Sequence, residues 1–128
     1  IIKSGAVICD VARPRDVSKN MVKKRNDVLV IDGGVVKAPG NLKCNFDIGL
    51  PDGVVLACMA ETMILALEKR YENYTVGKNI TLEKIKEIKD LADKHGFKLA
   101  GLRSFNKVLS TKKIEAILKA ANQKKKTK

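Results

Sequence analysis

The sequence predicts an α/β protein in which short strands from the end of a mostly parallel sheet are followed by a helical region. Three observations carry this. Gly5 to Val11 (GAVICDV) and Asp27 to Asp32 (DVLVID) are apolar runs with β-branched residues, the pattern of short strands buried on both faces. The polar stretch between them, Asp16 to Arg25, suits a loop or a helical turn or two. Near Pro51 the pattern switches from strand period to helix period.

Each element follows in order. The first strand should end near Arg13-Pro14, because proline restricts its predecessor and donates nothing to a ladder. The second closes on the turn Gly33-Gly34, and Val35-Val36-Lys37 before Pro39-Gly40 reads as a third short strand, open to a hairpin across the paired glycines. Pro51-Asp52-Gly53 opens a helix expected to run on to Tyr71, with Asp52 as N-cap and Lys69-Arg70 at the negative end of its dipole. Its first half is apolar all round, which predicts central burial. Thr81 caps a second helix with Leu82, Ile85, Ile88, Leu91 and Ala92 on one stripe, and Gly96 stops it after His95. Phe97 to Leu102 reads as a short extended segment. Ser110 or Thr111 opens a third helix with Ile114, Ile117, Leu118 and Ala121 on one face, and the terminal NQKKKTK is expected to fray.

Composition bounds the function. The chain's 128 residues suit one domain, or part of one, able to build a core, and 45% apolar with 31% charged residues is too apolar for disorder. The longest nearly uncharged stretch, Gly53 to Leu67, is shorter than the roughly 20 residues a membrane-spanning helix needs. No secretory leader opens the chain, and Ile1 in place of Met leads to the expectation of a piece of something longer. Cys9, Cys44 and Cys58 are odd in number and lack metal-ligand spacing, so a reducing, cytoplasmic setting without disulfides is expected. With His95 the only histidine, no metal centre is expected either. Lys and Arg outnumber Asp and Glu by 26 to 14, a net charge of +12 that attracts acidic partners. Nucleic acid is disfavoured as that partner, because only five aromatics can stack on bases and no helix-turn-helix is read; an acidic carrier protein fits.

Single residues are weaker signals. No G-x-G-x-x-G or Walker-type loop precedes a helix, so no cradle for a pyrophosphate is visible. Gly33 and Gly34 could let a ligand approach the end of a strand, and Asp10 and Asp32, each ending a strand, could reach a ligand or cap the next loop. Cys58, taken alone, reads as a buried structural cysteine, and His95 as a cation at a helix C-terminus. Glu61 and Thr62 are odd in so apolar a stretch and need partners if buried.

Four stretches together carry a resemblance: VLVIDGGVV (Val28 to Val36), ACMAETMILALE (Ala57 to Glu68), NYTVGKNITLEKIKEI (Asn73 to Ile88) and KHGF (Lys94 to Phe97). In this order and spacing, the chain from about Ala6 to Leu102 resembles the C-terminal part of cyanobacterial long-chain acyl-acyl-carrier-protein reductases and their bacterial dehydrogenase-like relatives. The resemblance implies the end of a Rossmann-type NAD(P)-binding domain over 1–50 and a helical C-terminal region over 51–110; the basic, helical or disordered tail over 111–128 lies outside it. It implies NADPH in an intact parent, with none bound to this piece alone. It also implies a cysteine that takes an acyl group from a carrier thioester and releases an aldehyde after hydride attack, which falls on Cys58, with His95 matching a family position. A shikimate-dehydrogenase-like or semialdehyde-dehydrogenase-like substrate stays open. So does the alternative of a small basic binding module without catalysis, and strands severed from their sheet lead to the expectation of a homo-oligomer.

Overall fold

The computed structural model describes residues 2–78 and 80–123, so the Lys124 to Lys128 tail lies outside the described residues. Along the chain run β1 (Val7–Asp10), α1 (Lys19–Lys24), β2 (Leu29–Asp32), β3 (Val35–Lys37), β4 (Val54–Leu56), α2 (Ala57–Leu67), α3 (Leu82–Lys94), β5 (Lys98–Leu99), β6 (Arg103–Ser104), β7 (Lys107–Val108) and α4 (Thr111–Gln123). The protein is a mixed α/β structure with small parallel and antiparallel sheets. It divides into two compact units, one formed by the chain up to Gly33 and from Gly101 onward, the other by Gly34–Ala100.

In the first unit β1 and β2 pair in parallel, with Val7 opposite Leu29 and Asp10 opposite Asp32. α1 joins them, N-capped by the Ser18 hydroxyl, which accepts from the Met21 amide. Burial on both faces holds for β2, whose Leu29 and Val30 are buried, and fails for β1, where Val7 is 58% exposed. Beyond its pairing with β1, β2 also packs against β6. β6 and β7 form an antiparallel hairpin across Phe105 and Asn106, both at positive φ. In α4 the expected apolar face buries Ile117 and leaves Leu118 exposed.

The second unit is a three-stranded antiparallel sheet in the order β4-β3-β5, with α2 and α3. β3 therefore joins β4 and β5 rather than turning back on β2 across Gly33-Gly34. The helix expected from Asp52 begins only at Ala57. Val54 to Leu56 are claimed by β3, in a register that sets Val35 opposite Leu56, and β-branched valines suit that pleat. α2 is also not buried all round: Ala60, Ile64 and Leu65 face the core while Cys58, Thr62 and Ala66 are exposed. The core gathers Ala38, Val55, Ala60, Ile64 and Phe97, with Ile88, Leu91 and Ala92 of the α3 stripe packed against it; Leu82 and Ile85, from the same stripe, stay exposed.

Both helices end on the same device. The Arg70 amide donates to the Leu65 carbonyl and Lys69 to Ala66, while Phe97 donates to Ala92 and Gly96 to Asp93. These paired bonds close a helix when the residue after the C-cap turns left-handed. Gly96 does so at φ 80 as its sequence position predicts, whereas at Lys69 the same turn is made by a lysine at φ 57, which ends α2 before the expected Tyr71.

Candidate active site at the start of α2

Cys58 is the second residue of α2, and its side chain is exposed, which removes the reading of it as a core cysteine. Its position is set from the strand side. The Ala57 amide donates to the Gly34 carbonyl at 2.8 Å, tying the first turn of α2 to the residue before β3, and Gly34 turns there at φ 63. The N-cap residue is Leu56, which offers no side-chain oxygen. The amides of Cys58 and Met59 belong to the first turn, where N–H groups have no acceptor inside the helix and the helix dipole favours negative charge. One turn on, the Thr62 hydroxyl donates to the Cys58 carbonyl at 3.1 Å, which accounts for a hydroxyl residue on this helix.

Two hollows lie along α2, and Cys58 is among the lining residues of neither. One, of about 640 Å³, is mixed in character and lies between Glu61, Thr62 and the loop from Arg70 to Val76. The other, an apolar groove of about 490 Å³, runs between Ala57, Ala60 and Ile64 of α2, Ile88 and Ala92 of α3, and Val36, Phe97 and Leu99. Glu61 borders both. Thr75, which sequence reasoning did not single out, holds that carboxylate, its hydroxyl lying 2.6 Å from each oxygen. Fourteen residues separate the pair, so no local period reveals it.

His95 lies at the other end of the helix. It is the C-cap of α3, and its Nε2 is 2.5 Å from Oε1 of Glu68, the C-cap of α2. Cys58 is ten residues before Glu68, about 15 Å along the axis at helical rise. The structure thus brings Gly34 to the Cys58 turn and does not bring His95 there. Hydrogen bonds from Lys94 and then from His95 hold the Glu68 carboxyl below its usual range, so this cluster is an ionic clasp between two helix ends.

The remaining expected residues sit in the first unit, and their polar groups serve the chain itself. Asp10 accepts from the Ala12 and Val17 amides, each at 3.1 Å, and so caps the loop after β1. The Val17 amide is the main reason its carboxyl lies below the usual value. The Gly33 amide donates to the Asp10 carbonyl at 2.8 Å, and a Cβ on Gly33 would meet Val11 Cγ1 at 2.5 Å and Cys9 Sγ at 2.6 Å. Asp32 accepts from Arg15 and from the Phe105 and Asn106 amides. α1 opens on a serine cap and α2 on a strand, so the described residues build no glycine cradle for a pyrophosphate. Among the described residues no three His, Cys, Asp or Glu converge on a metal position, and no helix is long and apolar enough to cross a membrane.

Comparison with known proteins gives no match to a family model. The aminotransferase PigE of Serratia sp. is 37% identical over 118 residues, which is 88% of this chain and 14% of that protein. The long-chain acyl-[acyl-carrier-protein] reductase of Synechococcus elongatus is 28% identical over 101 residues, 75% of this chain and 29% of the reductase. The chain thus spans about a seventh of the first relative's length and less than a third of the second's. It is distantly related to segments of two enzymes, an aminotransferase and an oxidoreductase.

Proposed function

We propose that this chain is the acyl-accepting segment of an NAD(P)H-dependent oxidoreductase that converts an acyl thioester to an aldehyde, with Cys58 as the acylated residue. The observation that carries the reading is the exposed Cys58 thiol in the first turn of α2, beside first-turn amides that a developing oxyanion can use. A thiolate is a strong nucleophile, and acyl exchange between sulfurs keeps the group electrophilic for a later step. The similarity to the acyl-carrier-protein reductase supports the same reading.

In this reading the hydride comes from a nicotinamide cofactor held by polypeptide beyond these residues, since Asp10, Gly33 and Gly34 are used by the chain's own backbone. His95 acts as a clasp and takes no part in acyl transfer. The net charge of +12 favours an acidic carrier protein as donor. The single neighbour of β1, with Val7 and Val11 exposed, supports a Rossmann-type sheet completed by further strands, from a longer polypeptide or a second copy. The test is to incubate the full-length protein with an acyl thioester, without NADPH, and map the modified residue by mass spectrometry. Acylation at Cys58, absent in Cys58→Ala, is expected; acylation confined to Cys9 or Cys44 would refute the assignment.

A further inference from the structure

Building on the acyl-transfer reading, we infer that Glu61 is the proton acceptor and donor for Cys58 and that Thr75 is its positioning residue. Glu61 follows Cys58 by three residues in α2, so the two are neighbours on the helix surface with Cβ atoms roughly 5–6 Å apart. Helical side chains lean toward the N-terminus, the direction in which Cys58 lies from Glu61.

How Glu61 is held also bears on its role. Glu68 is tied to Lys94 and His95 and Glu87 to Arg70, while Glu83, at the start of α3, is held by the Thr81 hydroxyl and its own backbone amide. Glu72 takes the same Arg70. In a chain of net charge +12, Glu61 is half-buried and held by the Thr75 hydroxyl, with no ion pair among the described residues. A carboxylate tied to an ammonium or guanidinium is a poor base, whereas one oriented by a hydroxyl keeps lone pairs free for a proton. Thr75 is itself fixed by its neighbour Tyr74, which is buried with its hydroxyl 3.0 Å from the Lys84 carbonyl.

The position also suits the substrate's two halves. Glu61 stands between the apolar groove and the mixed hollow, where a thioester's carbon chain and its polar thiol arm can separate. As Cys58 Sγ attacks the acyl carbon, its proton passes to Glu61. The new carbon–sulfur bond forms, the donor's carbon–sulfur bond breaks, and Glu61 returns the proton to the departing thiolate. Nothing is oxidised or reduced.

The experiment follows acylation of Cys58 by octanoyl-N-acetylcysteamine in the full-length protein, by intact mass, from neutral to alkaline pH. Glu61→Gln should slow acylation about 100-fold near neutrality, the usual scale of general-base help, and converge on wild type at alkaline pH where hydroxide makes the thiolate unaided. Glu61→Asp should retain part of the rate. Thr75→Val should slow it several-fold with the same pH dependence. Labelling of Cys58 by iodoacetamide should persist in every variant, showing a reactive thiol, and a circular dichroism spectrum and thermal midpoint matching wild type show that the fold is intact. Equal acylation of wild type and Glu61→Gln near neutrality, or a loss in Glu61→Gln that is the same at every pH, overturns the role of Glu61 and leaves the acyl-transfer reading standing. A wild-type protein that iodoacetamide labels at Cys58 but the thioester never acylates there overturns both.

Discussion

Replacing Asp32 by alanine removes one acceptor from three donors at once. Its buried carboxylate takes Arg15 Nε at 3.1 Å, the Phe105 amide at 3.2 Å and the Asn106 amide at 2.7 Å. Phe105 and Asn106 stand at φ 49 and φ 67, the two positive-φ positions of a tight hairpin, with no glycine to make the turn cheap. The carboxylate secures this turn from outside together with Arg15, whose guanidinium donates to the Asn106 side-chain oxygen. A buried N–H left unpaired costs about 1–3 kcal/mol, and part of that is recovered if the hairpin opens to water, so the two amides put the loss near 2–4 kcal/mol. The Arg15 guanidinium is partly exposed and adds only about 0–1 kcal/mol. Total stability is typically about 5–15 kcal/mol, so the change should be plain in urea unfolding followed by circular dichroism. Asp32→Asn, which keeps one acceptor oxygen, should fall between wild type and Asp32→Ala. The pH dependence has a fixed sign. Burial pushes the Asp32 carboxyl up, but the Asn106 amide and the Arg15 guanidinium together outweigh it, so its value lies below the ordinary one. A depressed folded value gives stability that is full above the unfolded value of about 4 and lost as pH falls through the folded one. Acidification should therefore cost wild type more stability than Asp32→Ala. A loss under about 0.5 kcal/mol in Asp32→Ala, with the Phe105 and Asn106 amides still protected from hydrogen exchange, would refute this account.

Two further substitutions probe the packing of each unit. Gly5 stands at φ 77, and a Cβ there would lie 2.5 Å from Ala121 Cα and 2.7 Å from its nitrogen, so Gly5→Ala should cost at least about 1–3 kcal/mol and loosen α4 in hydrogen exchange; an unchanged exchange pattern would contradict it. Ile64 is 2% exposed in the core of the second unit, so Ile64→Ala should destabilise by about 2–5 kcal/mol, and a thermal midpoint equal to wild type would show that the core is not built as described.

The legible parts of the fold were those whose signals are local. Thr81, the apolar stripe after it and Gly96 fix α3 from end to end, and the GAVICDV and DVLVID runs mark β1 and β2. The run from Val54 into α2 was misread because an apolar stretch has no period of its own; pairing with β3 turned its first three residues into strand. The β6–β7 hairpin escaped notice because its turn lacks glycine and leans on Asp32, more than 70 residues away. At the site, only the resemblance singled out Cys58, while its exposure depends on where α2 begins. Thr75 could not be found at all, since its partner Glu61 is on another element.

The three residues of β4 decide what Cys58 can do. Had α2 begun at Asp52, Cys58 would be the sixth helical residue, its amide bonded to the Val54 carbonyl and its side chain a turn and a half from the positive end. With Val54 to Leu56 drawn into the sheet, the helix starts at Ala57, and Cys58 gains an unbonded backbone amide beside an exposed sulfur. The same start carries Glu61 into the second turn, three residues after Cys58, while Thr75 holds its carboxylate from the loop. The bond from the Ala57 amide to the Gly34 carbonyl fixes that start on the sheet side, at a glycine whose φ of 63 a β-branched residue would resist. Strand register, not helix propensity, therefore places Cys58, because the same apolar sequence wound four residues earlier would present it with no free amide beside it.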